Sequence, residues 1–142
     1  MTSSNSHDAP GTRSPDDLKG LDILLVEDSW DLGDAMKDLL ELLGAEVAGP
    51  AATTAEAEHL LSTNTPDVAL VDFHLRDGEL STGLIARLHE QGIPVVLISG
   101  SEFLPSRPEN TLFTLEKPVS ESQLLEVLRP IVAQKAARPQ FF

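Results

Sequence analysis

Residues 21–44 read LDILLVEDSWDLGDAMKDLLELLG, and this stretch decides the fold. The apolar run at 21–26 is short and is followed by two acids, which is typical of a strand buried on both faces of a parallel sheet. Over residues 30–43 the apolar side chains recur at helical spacing, and either Asp28 or Ser29 can cap the helix. A buried strand followed at once by an amphipathic helix predicts a βα unit.

The same alternation of strand and helix patterns continues along the chain. It predicts an α/β fold in which helices cover both faces of a parallel sheet. We therefore expect a flavodoxin-like, doubly wound sheet of five parallel strands in the order 2-1-3-4-5. The further strands are predicted at 45–49, 67–73, 93–99 and 111–116, and the further helices at 53–62, at 81–90 and from 120 onward. Thr53 with Glu56, and Ser120 with Gln123, have the spacing of a capping box at two of these helix starts.

Prolines interrupt two of these segments. Residues 100–110 contain Pro105 and Pro108 and leave room for at most about one turn of helix, so the fourth helix is predicted to be truncated. Pro130 lies inside the last helical pattern, where it removes a backbone hydrogen bond. It is predicted to kink or end that helix.

Length and composition indicate one domain with two flanking segments. The 142 residues suit a single hydrophobic core, which we assign to residues 20–136. Residues 1–19 are rich in Ser, Pro, Asp and Gly and are predicted to be a disordered leader, and residues 137–142 a flexible tail. The chain has no cysteine, no signal-peptide pattern and no apolar run near the ~20 residues that span a bilayer, which favours the cytoplasm and no membrane partner.

The charge balance argues against a nucleic-acid partner. A protein that binds phosphate backbones needs a basic stripe, whereas this chain has ten Lys and Arg against 23 Asp and Glu and a net charge of −13. The acidity can serve solubility, or it can attract a basic partner or a cation.

Polar side chains follow four of the five predicted strands at the point where each strand ends. Glu27 and Asp28 follow the first strand, Asp72 the third, Ser99 the fourth and Lys117 the fifth. Ligands bind outside the carboxyl ends of the strands in open parallel sheets. We therefore expect these side chains to meet at one edge of the sheet.

The three acids of this group predict a divalent cation. Carboxylates held close together repel one another by ~1 kcal/mol per pair in water and by more near protein. A cation with oxygen ligands removes this repulsion, and an all-oxygen set favours Mg²⁺ over zinc. Because Mg²⁺ commonly bridges carboxylates and phosphates, the site is expected to perform phosphoryl chemistry; no organic cofactor is predicted.

The remaining groups suit the same reaction. Asp72 is the natural nucleophile, because a carboxylate can attack a phosphoryl group to give an acyl phosphate. Lys117 can offset the charge on a phosphoryl oxygen, and Ser99 can donate a hydrogen bond to another. Each of these residues alone could be an ordinary cap or turn residue. Their conjunction on four strand ends favours a functional site.

Four motifs resemble the receiver domains of bacterial response regulators, namely LLVEDS at 24–29, ALVDFHL at 69–75, VVLISG at 95–100 and LEKPVS at 115–120. The resemblance implies a CheY-like fold and a phosphoprotein of bacterial two-component signalling, more similar to the stand-alone, single-domain receivers of alphaproteobacteria than to the receivers of transcription factors. Such a protein signals by protein contact or by passing its phosphoryl group onward. It is not an enzyme beyond its own phosphoryl transfer and hydrolysis. A sensor histidine kinase or histidine phosphotransfer protein would be its partner, and a homodimer could form.

The resemblance also implies a role for each site residue. Asp72 would accept the phosphoryl group of a phosphohistidine. Asp28 and Asp72 would bind Mg²⁺ directly, together with the backbone carbonyl of His74, and Glu27 would act through a metal-bound water. A serine and a lysine, here Ser99 and Lys117, would hold the acyl phosphate and move inward on phosphorylation.

Three features depart from the family pattern. Arg76 stands where many receivers carry proline, and the His74 side chain can shape water access and phosphate lifetime. Thr114 replaces the usual aromatic reporter, while Phe113 is predicted to point to the opposite face of its strand. The stretch 99–117 is about one helical turn shorter than the family norm.

Three other functions are compatible with parts of this pattern. A phosphohydrolase of the haloacid-dehalogenase type would need a general-acid aspartate at the position of His74. A flavin-binding module would need a Ser/Thr/Gly-rich loop after the first strand, where EDSWDLGD is acidic. A degenerate receiver that serves only as a scaffold stays open because of Thr114.

Overall fold

The computed structural model describes residues 16–100 and 111–137. Its strands form one parallel sheet in the order β2-β1-β3-β4-β5, so the predicted α/β fold and strand order are confirmed. A 3₁₀ turn (Arg76–Gly78) follows the third strand. The elements are β1 (Asp22–Val26), α1 (Trp30–Leu42), β2 (Glu46–Ala51), α2 (Thr54–Leu61), β3 (Val68–Asp72), α3 (Thr82–Glu90), β4 (Val95–Ser99), β5 (Thr111–Glu116) and α4 (Glu121–Ala137).

The sheet carries a hydrophobic core on each face, because successive strand residues point to opposite sides. Each fully buried aliphatic side chain contributes about 1.5–3 kcal/mol. The helices α1 and α4 cover one face with a core that includes Ile23, Leu25, Leu40, Leu70, Ile98 and Leu128. The helices α2 and α3 cover the other face with a core that includes Leu24, Val26, Val71, Leu84, Leu88 and Leu97.

Two helices begin at the caps that the sequence indicates. The Thr53 hydroxyl accepts from the Glu56 backbone N–H at 3.1 Å, while the Glu56 carboxylate accepts from the N–H of Ala52 at 2.7 Å. At α4, Gln123 donates its N–H to the Ser120 hydroxyl at 3.2 Å and accepts the Ser120 N–H at 2.9 Å. Both arrangements satisfy backbone groups at the helix start.

Close packing of α1 on β2 sets the direction of the loop after β1. A Cβ atom at Gly33 would lie 2.9 Å from both Cβ and Cγ of Pro50, so only glycine permits this approach. In the preceding residue of β2, Gly49, φ is +116°, and an added Cβ would lie 2.4 Å from the Leu25 carbonyl oxygen. The first turn of α1 is thereby held against the sheet.

The predicted leader overlaps the folded domain. Leu18 is fully buried, and its N–H donates to the Leu43 carbonyl at 2.8 Å. The Asp17 carboxylate lies 2.9 Å from the Arg129 guanidinium of α4. The prediction is therefore wrong for residues 16–19. Leu18 is buried in the core, but the polar residues that surround it in the sequence give no sign of this burial. The predictions for 1–15, for the fourth helix within 101–110 and for the tail from 138 lie outside the described residues.

Helix α4 continues through Pro130 to Ala137. Pro130 was predicted to kink or end the helix; the predicted end is wrong, and the kink stays a prediction. The turn before Pro130 buries Leu128 in the core, and the turn after it carries Lys135, whose ammonium lies 2.8 Å from the Asp67 carboxylate. These contacts on both sides offset the missing backbone hydrogen bond. Within 16–100 and 111–137, no helix combines the length and apolar character needed to cross a membrane.

Candidate functional site

The site lies at the carboxyl edge of the sheet, where the loops after β1, β3 and β5 meet. Carboxylate oxygens of Glu27, Asp28 and Asp72 all lie within 4.8 Å of one another. The Lys117 ammonium lies 2.9 Å from Asp72 Oδ2 and 3.5 Å from Glu27 Oε2. Ser99 is buried at the end of β4, and its carbonyl accepts the Lys117 N–H at 2.8 Å. The structure thus brings the five predicted side chains to one edge.

Glu27 is the most unusual group of the site. Its side chain is buried, Oε2 accepts the Ser29 N–H at 3.1 Å, and Oε1 is buried without a hydrogen-bond partner in the described part of the chain. Burial raises the pKa of Glu27 to about 7; the Ser29 N–H and Lys117 oppose the rise, and the charge of Asp72 adds to it. A buried carboxylate oxygen without a donor is one that a cation or its bound water can satisfy.

Lys117 supplies the positive charge of the site. Burial alone would lower the pKa of its ammonium, but the hydrogen bond to Asp72 and the charges of Glu27 and Asp72 outweigh burial, so the pKa lies above its ordinary value. Lys117 therefore stays protonated. It neutralises one of three clustered acids and holds one oxygen of Asp72.

The loop after β3 orients the other oxygen of Asp72. Asp72 Oδ1 accepts the N–H of His74 at 3.3 Å, and His74 pairs with Leu80 in an antiparallel bridge. The His74 side chain is exposed, and its ring stands edge-on to Phe73 with the centroids 5.0 Å apart. The role of the His74 carbonyl as a metal ligand stays a prediction.

The sequence reasoning missed two contacts that join this loop to its neighbours. The Arg76 guanidinium donates to the main-chain carbonyl of Asp28 at 3.2 Å, and the Glu79 carboxylate accepts the N–H of Thr54 at 3.0 Å. In the sequence, Arg76 is notable only as a departure from the family pattern, and no local pattern indicates a contact of Glu79. A cavity of about 250 Å³ opens beside these contacts, lined by Glu27, Asp28, Trp30, Asp34, Pro50, Ala52, Glu56 and Arg76.

The residues of the site fit a hard divalent cation. All three acidic side chains offer oxygen ligands, their repulsion is relieved only in part by Lys117, and Glu27 presents an oxygen that lacks a donor. An all-oxygen set of this kind suits Mg²⁺. Asp28 and Asp72 could hold the ion.

Strand β5 exposes Thr114, which stands at the position of the usual aromatic reporter, to solvent. Thr114 is exposed, and Phe113 retains 41% of its accessible surface. Leu115, two residues beyond Phe113, is buried in the core beneath α1 and α4. Since alternate residues share a face, Phe113 points to that side and Thr114 to the other.

In comparison with known proteins, the chain is similar to response-regulator receiver domains, as the motifs predicted. A receiver domain from Methylobacillus flagellatus is 28% identical, with a TM-score of 0.69, over 78% of this chain and 98% of that chain. The signal receiver domain of a modulated diguanylate cyclase from Desulfovibrio desulfuricans is 27% identical, with a TM-score of 0.72, over 82% and 96% of the two chains. A receiver domain from Clostridium thermocellum shares the fold at 21% identity, with a TM-score of 0.72, over 82% and 97%.

The chain also has a sequence relative among curated proteins. The swarming motility regulation protein RssB of Serratia marcescens is 37% identical over 87 residues. The match covers 61% of this chain and 39% of that protein, so well over half of the relative lies beyond it. No family model matches the chain.

Proposed function

We propose that this chain is a phosphorylation switch of two-component signalling that works in the cytoplasm. Asp72 accepts a phosphoryl group from a sensor histidine kinase or a histidine phosphotransfer protein, and the chain signals by protein contact or onward transfer. The single observation that carries this proposal is the Lys117 ammonium, 2.9 Å from Asp72 within the cluster of three acids. The absence of any enzymatic activity beyond this phosphoryl transfer and its hydrolysis is part of the proposal.

The proposed reaction uses the carboxylate of Asp72 as the nucleophile. One carboxylate oxygen attacks phosphorus, the O–P bond forms, the N–P bond of the phosphohistidine breaks, and the imidazole leaves as its nitrogen takes up a proton. Lys117 then balances charge on a transferred oxygen, and Ser99 donates a hydrogen bond to another. Mg²⁺, when bound, neutralises charge shared by the carboxylates and the phosphoryl group.

Such a reaction depends mainly on how the protein positions the reacting groups and neutralises their charge, because phosphoryl transfer demands little covalent chemistry from the protein. The His74 N–H and the Lys117 ammonium fix the two oxygens of Asp72. Asp28 and the His74 carbonyl complete the proposed metal ligands. Glu27 would act through a water on the bound cation, and that water would supply the donor that Glu27 Oε1 lacks.

Labelling with acetyl phosphate or beryllofluoride plus Mg²⁺ tests the proposal. We expect the wild type to gain one phosphoryl group by mass, or one beryllofluoride by fluorine NMR, whereas Asp72→Asn gains neither. Asp67→Asn is the matched control, since Asp67 precedes the same strand at its opposite end and pairs with Lys135. If the wild type takes up neither ligand, the proposal of a phosphorylation switch is refuted. If such a protein still bound a kinase, it would act as a scaffold.

Trp30 is expected to mark the docking site of the protein donor. It is 75% exposed beside the acidic cavity, and exposed aromatic side chains often contribute most of the binding energy at protein interfaces. Replacing Trp30 with alanine should slow transfer from a cognate kinase by about tenfold. Labelling by acetyl phosphate should stay within about twofold, because a small donor needs no docking surface.

The comparison is made by following phosphoryl transfer in parallel from the kinase and from acetyl phosphate. Leu112→Ala serves as the control, because Leu112 is an exposed apolar residue on β5 at the other end of the sheet. Equal slowing with both donors would show that Trp30 acts on the site itself rather than on docking.

A further inference from the structure

We propose that Arg76 is a positioning residue that holds Asp28 in place for cation binding. The inference rests on the proposed function, because it assigns Arg76 a role in the same site. Arg76 touches none of the carboxylates that would bind the cation, and it acts through the backbone of Asp28.

Arg76 joins the loops that follow three neighbouring strands. It lies in the 3₁₀ turn after β3, its backbone N–H donates to the Ala52 carbonyl at 3.3 Å, and its Nη2 donates to the Asp28 carbonyl at 3.2 Å. Ala52 follows β2, and Asp28 lies in the loop after β1. A single residue therefore fastens the loop that carries Asp28 to the loop that follows Asp72.

The loop after β1 needs such a contact because its own charges tend to open it. Asp28 is only half-buried, and its carboxylate lies within 4.8 Å of those of Glu27 and Asp72. Among the described residues, Lys117 pairs with Glu27 and Asp72 but not with Asp28. In the part of the chain that the structure describes, Arg76 is thus the cationic residue that bonds Asp28, and it does so at the main chain.

A purely electrostatic role for Arg76 makes the opposite prediction. A positive charge beside a cation site repels the cation, so its removal would tighten Mg²⁺ binding. Arg76 is exposed, and at about 0.5 M salt the screening length is about 4 Å, so this repulsion is nearly eliminated. A positioning contact between a guanidinium and a carbonyl persists under the same conditions.

Mg²⁺ titrations followed by backbone amide NMR at about 0.5 M salt separate the two roles. We expect Arg76→Ala to raise the Mg²⁺ dissociation constant about fivefold, which corresponds to about 1 kcal/mol. Arg76→Lys, which keeps a donor of similar reach, should stay within about twofold of the wild type. Arg87→Ala is the matched control, because Arg87 forms a surface ion pair with Glu58 on α2 and α3 and should change nothing.

A second measurement needs no metal. In EDTA, amide hydrogen exchange at Ser29 and Leu32, whose N–H groups bond within the loop after β1, should be several times faster in Arg76→Ala than in Arg87→Ala. An unchanged or tighter Mg²⁺ constant in Arg76→Ala would overturn the proposal. If the wild type bound no Mg²⁺, the proposed function would lose its metal, and unchanged hydrogen exchange would then overturn the positioning role.

Discussion

Replacing Lys117 with alanine is expected to slow phosphorylation of Asp72 by acetyl phosphate about 100-fold or more, the usual cost of removing one group that stabilises transition-state charge. The Lys117 ammonium lies 2.9 Å from Asp72 Oδ2, so it is placed to neutralise negative charge on an oxygen of the transferred phosphoryl group. The same substitution should tighten Mg²⁺ binding severalfold, because it leaves three carboxylates without their internal counter-charge. Two opposite changes in one variant distinguish this role from simple misfolding, which would weaken both.

Lys135→Ala is the matched control for Lys117. Lys135 also bonds a carboxylate at 2.8 Å, that of Asp67, but it lies at the opposite end of the sheet. Its loss should leave the labelling rate and the Mg²⁺ constant unchanged. Rates are measured by mass spectrometry at saturating Mg²⁺, so that the change in metal affinity does not enter them. A Lys117→Ala variant that labelled at the wild-type rate would remove the lysine from the mechanism.

The second large effect is expected on stability. In EDTA, the free energy of unfolding of the wild type should fall relative to that of Glu27→Gln as the pH rises from about 4.5 to about 8. The folded-state pKa of Glu27, about 7, lies above its ordinary value of 4.5, so the folded protein binds more protons than the unfolded chain within this window. The difference between these two pKa values corresponds to as much as about 3 kcal/mol of folding stability. This contribution is fully present below pH 4.5 and is lost as the pH rises through about 7.

Urea-induced unfolding over this pH range measures the difference. Glu90→Gln is the control, because Glu90 is exposed at the end of α3 and should track the wild type. Saturating Mg²⁺ should remove most of the difference at pH 8, since the cation stabilises the ionised carboxylates. A pH-independent difference between wild type and Glu27→Gln would show that Glu27 ionises normally in the fold.

The parts of this molecule that local rules govern could be predicted from the sequence. The run LDILLV is short, apolar and bounded by acids, so it specifies both a buried strand and the place where it ends. Knowing the strand ends is sufficient to place Glu27, Asp72 and Lys117 at one edge, because parallel strands share their carboxyl ends. The caps at Thr53 and Ser120 pair with residues three positions further along the chain, so the local sequence predicts them as well.

The errors came from contacts between residues distant in sequence. Leu18 is a lone large apolar residue in a polar stretch, and its burial depends on a space near Leu43 that no local pattern describes. The predicted end of the helix at Pro130 took account only of the backbone hydrogen bond that proline lacks. The ion pair of Lys135 with Asp67, 68 positions away in the sequence, compensates for that missing bond. The Arg76 contact to Asp28 spans 48 positions and follows from loop geometry, which the sequence does not encode in any local motif.

The position of Trp30 gives the protein a built-in optical probe. The chain contains one tryptophan and no tyrosine, so near-ultraviolet emission comes almost entirely from this indole. Trp30 lines the same cavity as Glu27 and Asp28, where a change in the local field alters the emission. Stopped-flow fluorimetry on unlabelled protein can therefore follow the site in real time, with no dye that would disturb a domain of this size.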